Sequence, residues 1–114
     1  FADVVSGQAN NGSQSIRVGG GANQGSTEQT INNLSPNTTY TLSGWLKADD
    51  SATVVLGVKN HGATEQASTS VSGSTYQQRT LTFTTGNSAT SAIIYVYKNG
   101  GNGYAYGDDL TLSQ

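Results

Sequence analysis

The chain has no cysteine and no methionine, which excludes disulfide support for the fold and every form of thiol chemistry. Charge is scarce. Charged residues make up 11% of the chain and the formal net charge is −2. The five basic residues form no cluster, which argues against a nucleic-acid partner. No apolar run approaches the ~20 residues that cross a bilayer as a helix, so no membrane contact is expected. No signal peptide opens the chain. That says little about location, because a module cut from a secreted multidomain protein would look the same.

Gly, Ser, Thr and Asn fill nearly half of the 114 positions. Low hydrophobicity of this kind suggests disorder only when net charge is high and aromatics are few. Here net charge is low, and Tyr, Val, Ile, Leu and Thr recur in short alternating runs. The pattern predicts an all-β domain, one unit over residues 1–114, with polar faces and many turns. No linker, internal repeat or helical period is present.

Strands are predicted at Val4–Gln8, Gln14–Val18, Thr27–Asn32, Thr39–Ala48, Thr53–Asn60, Glu65–Ser72, Tyr76–Thr85, Ser91–Lys98 and Tyr104–Ser113. Gly-, Asn- or Pro-bearing breakers such as "LSPNTT", "NHGAT" and "KNGGNG" separate them. Alternation assigns faces. Tyr40, Leu42, Gly44 and Leu46 point inward, and Thr41, Ser43, Trp45 and Lys47 outward. Val54, Leu56 and Val58 are inward, while Lys59 and then His61 are outward. Leu81 and Phe83, and Ile94 and Val96, are inward, which puts Tyr95 and Tyr97 on an outer face. Tyr104 and Tyr106 share parity with Leu110 and Leu112, and read as core or rim.

Catalytic signatures are missing. A glycosidase needs two carboxyls flanking one bond, whereas Asp108 and Asp109 are strand neighbours whose side chains point to opposite faces. His61 is the single histidine. No nucleophile elbow, zinc motif or phosphate loop occurs. The sequons at Asn11 and Asn37 are expected by chance in so Asn-, Ser- and Thr-rich a chain.

Outer faces of Thr, Ser and Gly that carry a few large aromatics suit a sugar ring. Aromatic planes cover its C–H surface, and flanking polar groups bond its hydroxyls. Trp45 is either such a platform or a core residue. Tyr95 and Tyr97 are either a platform or cross-strand packing. Lys59 and His61 are hydrogen-bonding candidates or ordinary solvated residues. Asp108 takes the parity of Leu110 and Leu112. An inward carboxylate is costly unless paired, so it is either a calcium ligand or a turn aspartate that caps backbone N–H groups.

"NGSQSIRV", "INNLSPNTTYTLSGWLKA", "STYQQRTLTFTTG", "SAIIYVY" and "YGDDLTL" occur in this order. Together they resemble the carbohydrate-binding modules of the superfamily that contains families 4, 9, 16 and 22. The resemblance covers roughly Ala9 to Leu112. It implies a jelly-roll β-sandwich of two antiparallel sheets, no catalysis, a polysaccharide site on one concave face, and a structural calcium ion away from that site. By the resemblance, Trp45 stacks on sugar, Tyr95 and Tyr97 line the cleft, and Asp108 holds calcium with Asn11 and Ser13 as the nearest further candidates. Lys59, His61 and Gln78 would then bond hydroxyls or a carboxylate. Such modules often open with an "N-G-x-F-E" segment and a second tryptophan, and both are missing here, with the glutamate that often helps to hold calcium.

The combined expectation is a monomeric, non-catalytic module tethered to a secreted carbohydrate-active enzyme. Its polysaccharide would be a β-glucan, xylan, mannan or uronate polymer. The alternative is a structural or adhesive β-sandwich of a bacterial surface protein. A catalytic domain would need carboxylates or a His–Tyr pair converging in one cleft, and His61 with Tyr95 or Tyr97 is the candidate for the latter.

Overall fold

A computed structural model describes residues 2–6, 14–18, 25–49, 52–101 and 103–113, the first two segments as backbone. Nine strands follow in chain order: β1 (Ala2–Ser6), β2 (Gln14–Val18), β3 (Gly25–Ile31), β4 (Thr39–Ala48), β5 (Val54–Lys59), β6 (Gln66–Ala67), β7 (Gln77–Thr84), β8 (Ala92–Lys98) and β9 (Ala105–Ser113). All nine predicted strands are present. The sixth shrinks to two residues, with Val71 bridging to Val54 beyond it. The described residues contain no helix.

The strands form two antiparallel sheets, ordered β1-β2-β9-β4-β7 and β3-β8-β5-β6. This is the expected jelly-roll sandwich. Alternation is the reason the layers close. On β4, Tyr40, Leu42 and Leu46 are buried, and on β5 and β8 so are Val54, Leu56, Val58, Ile94 and Val96. Each large apolar side chain sealed between the layers contributes about 1.5–3 kcal/mol. At one end a hydrogen-bond knot ties the loops: Thr85 Oγ1 donates to Ser35 O at 2.6 Å, and Ser35 N–H donates to Tyr40 Oη at 2.8 Å.

Two polar side chains enter the interior. Lys98 ends β8 on the inward parity and is fully buried, with Nζ donating to Gly101 O at 2.9 Å. His61 was expected outward. It is instead 0% exposed and packs edge-on to Phe83, with ring centroids 5.1 Å apart. The chain leaves β5 through Asn60 and Gly62, both at positive φ. That turn ends the alternation and rolls the imidazole under the sandwich.

The second departure lies in β9. Ser43 pairs with Thr111, but Trp45 pairs with Asp108, so the register slips by one residue between them. Asp109 sits there at φ 51°. This is a β-bulge, and an extra residue inverts the in–out order of the strand beyond it. Leu110 therefore faces inward opposite Gly44, where an added Cβ would lie 2.4 Å from Leu110 Cδ2. By the register to β4, Ala105 and Gly107 face the core on the near side of the bulge, while Tyr106 and Asp108 take the outer parity, Tyr106 there only 3% exposed.

Candidate functional site

The outer face of the five-stranded sheet gathers one aromatic cluster. β4 presents Trp45 and Lys47 there, two residues apart. Gln78 of β7 and Asp108 of β9 stand opposite Trp45, and Tyr106 of β9 stands opposite Lys47. Arg17 of β2 takes the register position next to Tyr106. Trp45 is half-buried, whereas Lys47 is only 9% exposed. Its ammonium lies 4.7 Å from the Tyr106 ring centroid and 5.2 Å from that of Tyr76, a distance at which cation–π attraction holds both rings. Tyr106 donates its hydroxyl to Asp49 Oδ2 at 3.0 Å, and Gln78 Nε2 donates to Ser43 Oγ at 3.2 Å. Beyond Trp45 the same face continues as hydroxyls, and Thr39 and Thr84 meet Oγ1 to Oγ1 at 2.9 Å.

Tyr95, Tyr97 and Lys59 lie on the outer face of the other sheet. Tyr95 lies over Gly57, its cross-strand partner; a Cβ on Gly57 would fall 2.1 Å from the ring's Cζ. The Tyr95 hydroxyl donates to Glu65 Oε2. Lys59 pairs with Glu28 at 2.6 Å and stands 5.7 Å from the Tyr95 ring centroid. Burial, then the Glu65 hydrogen bond, pushes the Tyr95 phenol well above the ordinary tyrosine range. The Glu28 carboxylate beside it lifts the Lys59 ammonium.

These placements correct three expectations. Trp45 and the Tyr95/Tyr97 pair cannot form one platform, because the packed layers, ~10 Å apart, separate their faces. Trp45 and Gln78 do meet; Lys59, Tyr95 and Tyr97 meet elsewhere. His61 reaches neither face. Asp108 is not inward. It is half-buried on the Trp45 face, and its Oδ1 accepts the Asp109 N–H at 2.9 Å, which is the capping alternative. The inward-carboxylate reason for calcium at Asp108 thus falls. Asn11 and Ser13 lie outside the described residues, among which no group of three His, Cys, Asp or Glu side chains could hold a metal.

Lys47, Asp49, Tyr76 and Tyr106 were missed as members of the Trp45 face. The outward parity of Lys47 was readable. That of Tyr106 was hidden by the bulge.

The carbohydrate binding domain family matches residues 2–103. The chain belongs to that family. The module is 40% identical over 114 residues to a keratan-sulfate endo-1,4-β-galactosidase of Sphingobacterium multivorum, covering 99% of this chain and 26% of the relative. It is 33% identical over 92 residues to exochitinase 1 of Streptomyces olivaceoviridis, covering 81% of this chain and 15% of the relative. The chain thus spans about a quarter or less of these two relatives. The fold is shared with TmCBM61, solved in complex with β-1,4-galactotriose, at TM-score 0.77 and 16% identity over 99% of this chain and 81% of that one. It is shared also with a family 16 carbohydrate-binding module, at TM-score 0.75 and 23% identity over 99% of this chain and 85% of that one.

Proposed function

We propose that the module is a non-catalytic polysaccharide-binding domain of a secreted carbohydrate-active enzyme, and that it binds through the Trp45 face. Trp45 carries this reading. It is a large apolar plane set outward on a polar sheet, with Gln78 and Asp108 beside it, while Lys47 and Tyr106, next along the strand, are buried against each other. Such a surface stacks on a sugar ring and offers fixed donors and acceptors to its hydroxyls. Tethering would raise the effective concentration of the attached enzyme on its substrate without touching the chemical step.

Two observations oppose catalysis at the Trp45 face and at His61. Asp49 and Asp108 share the face, but Asp49 lies four residues along β4 from the Asp108 level, which is ~13 Å of strand. Glycosidase carboxyls stand about 5–9.5 Å apart. His61 is sealed in the interior, away from Tyr95 and Tyr97.

The test is affinity electrophoresis through gels containing keratan sulfate, chitin derivatives, β-galactan, β-glucan, xylan, mannan and alginate. One polymer class is expected to retard the module. Trp45→Ala should weaken that binding about tenfold or more, as loss of an anchoring aromatic does. Its effect on thermal stability should be small. No retardation by any polymer would favour a structural or adhesive sandwich instead.

A further inference from the structure

We propose that the outer face of the four-stranded sheet is a second, independent glycan site, one that takes an uncharged sugar chain. Ser26 and Glu28 of β3, Lys59 of β5, and Tyr95 and Tyr97 of β8, with Glu65 from the loop before β6, line a groove of about 450 Å³. That lies within the ~300–1,000 Å³ of ligand clefts.

The platform is built. Gly57 leaves the space into which the Tyr95 ring settles, so the ring lies low against the sheet. Glu65 fixes the hydroxyl end of the ring. Lys59, itself held by Glu28, approaches its π system. Groups ordered before binding cost little entropy on binding. Tyr97 stands two residues further along the same strand, half-buried, opposite Ser26 and Val55. The two residues thus stand ~6.8 Å apart along the strand, both on the outer face.

The charges select the ligand. Glu28, Glu65 and Lys59 leave the groove one net negative charge, and Lys59 is engaged by Glu28. A sulfated or uronic polymer would meet the net negative charge that Glu65 adds to the Lys59–Glu28 pair and be repelled. An uncharged chain leaves the ion pair intact, stacks on the rings and bonds the remaining carboxylate and hydroxyl oxygens. The ligand class rests on the reading above, but the site does not, so the two fail separately. Two sites on opposite faces would also let one module bridge two chains.

Amide shifts of labelled Trp45→Ala protein, titrated with β-1,4-galactotriose, xylohexaose and triacetylchitotriose, test the proposal with the first face disabled. At least one of these sugars should move the Val55, Gly57, Tyr95 and Tyr97 amides saturably. Adding Tyr97→Ala should weaken that binding about tenfold, and Tyr97→Phe should retain it. If Tyr97→Ala does not fold, Tyr97→Thr, a strand-forming residue, takes its place. Keratan sulfate fragments should leave these amides unmoved. Absence of saturable shifts with all three neutral sugars would overturn the proposal. So would indifference to the Tyr97 change, or a preference for the sulfated ligand.

Discussion

Tyr95 gives up its proton late because ionisation would set a phenolate in a partly desolvated site against Glu65. The sign of the consequence follows. A folded-state value raised above the unfolded one stabilises the fold fully below the ordinary phenol range near pH 10, and that contribution fades as pH climbs through the raised value. Lys59, also raised, adds to the same trend. Tyr95→Phe should therefore lose less stability than the unaltered protein between pH 9 and pH 12 (urea midpoints read the difference). In a spectrophotometric titration of the six tyrosines, the same substitution should remove a phenol that ionises above the ordinary range.

At the scale of the element, β9 separates what was legible from what was not. Strand existence was readable throughout, because Gly- and Asn-rich breakers bracket each alternating run. On β4, β5 and β8 the inward set was readable too, since nothing interrupts the period of two. On β9 the alternation was counted through Asp108 and Asp109 as if the strand were regular. Nothing in "YGDDLTL" marks the extra residue except two adjacent aspartates, and Asp tolerates positive φ. The error moved Tyr106 and Asp108 to the wrong face together, although Tyr106 is buried as expected. Since a β-branched side chain is strained at such a φ, Asp109→Val should cost about 1–2 kcal/mol in urea denaturation. It should also weaken binding at Trp45 by shifting Asp108. Asp109→Gly should leave both nearly unchanged.

At the scale of the molecule, alternation along one strand says in or out, but not which sheet the strand joins. Trp45 and Tyr95 were both correctly outward, and they point in opposite directions. Only the strand order, which depends on long-range pairing such as β4 with β9 and β8 with β3, separates them. The calcium expectation belongs to this scale as well, because its ligands would have to come from distant strands. Calcium bound at Asp108, with Asn11 and Ser13, would raise the melting temperature over that in chelator, and Asp108→Ala would erase the difference. Equal melting temperatures with calcium and with chelator would leave the Asp109 N–H cap as the reading of Asp108.

The interior position of Lys98 and the sandwiched position of Lys47 have a practical outcome. Of the three lysines in the chain, only Lys59 offers its amine to a reagent in solution, since Lys98 is 0% and Lys47 9% exposed. Succinimide esters should modify Lys59 first, most readily under mildly alkaline conditions, and peptide mapping would show it. Apart from any α-amine, a solid support coupled through lysine would therefore grip the module by one side. Every immobilised copy would then turn Trp45 toward the liquid in the same orientation.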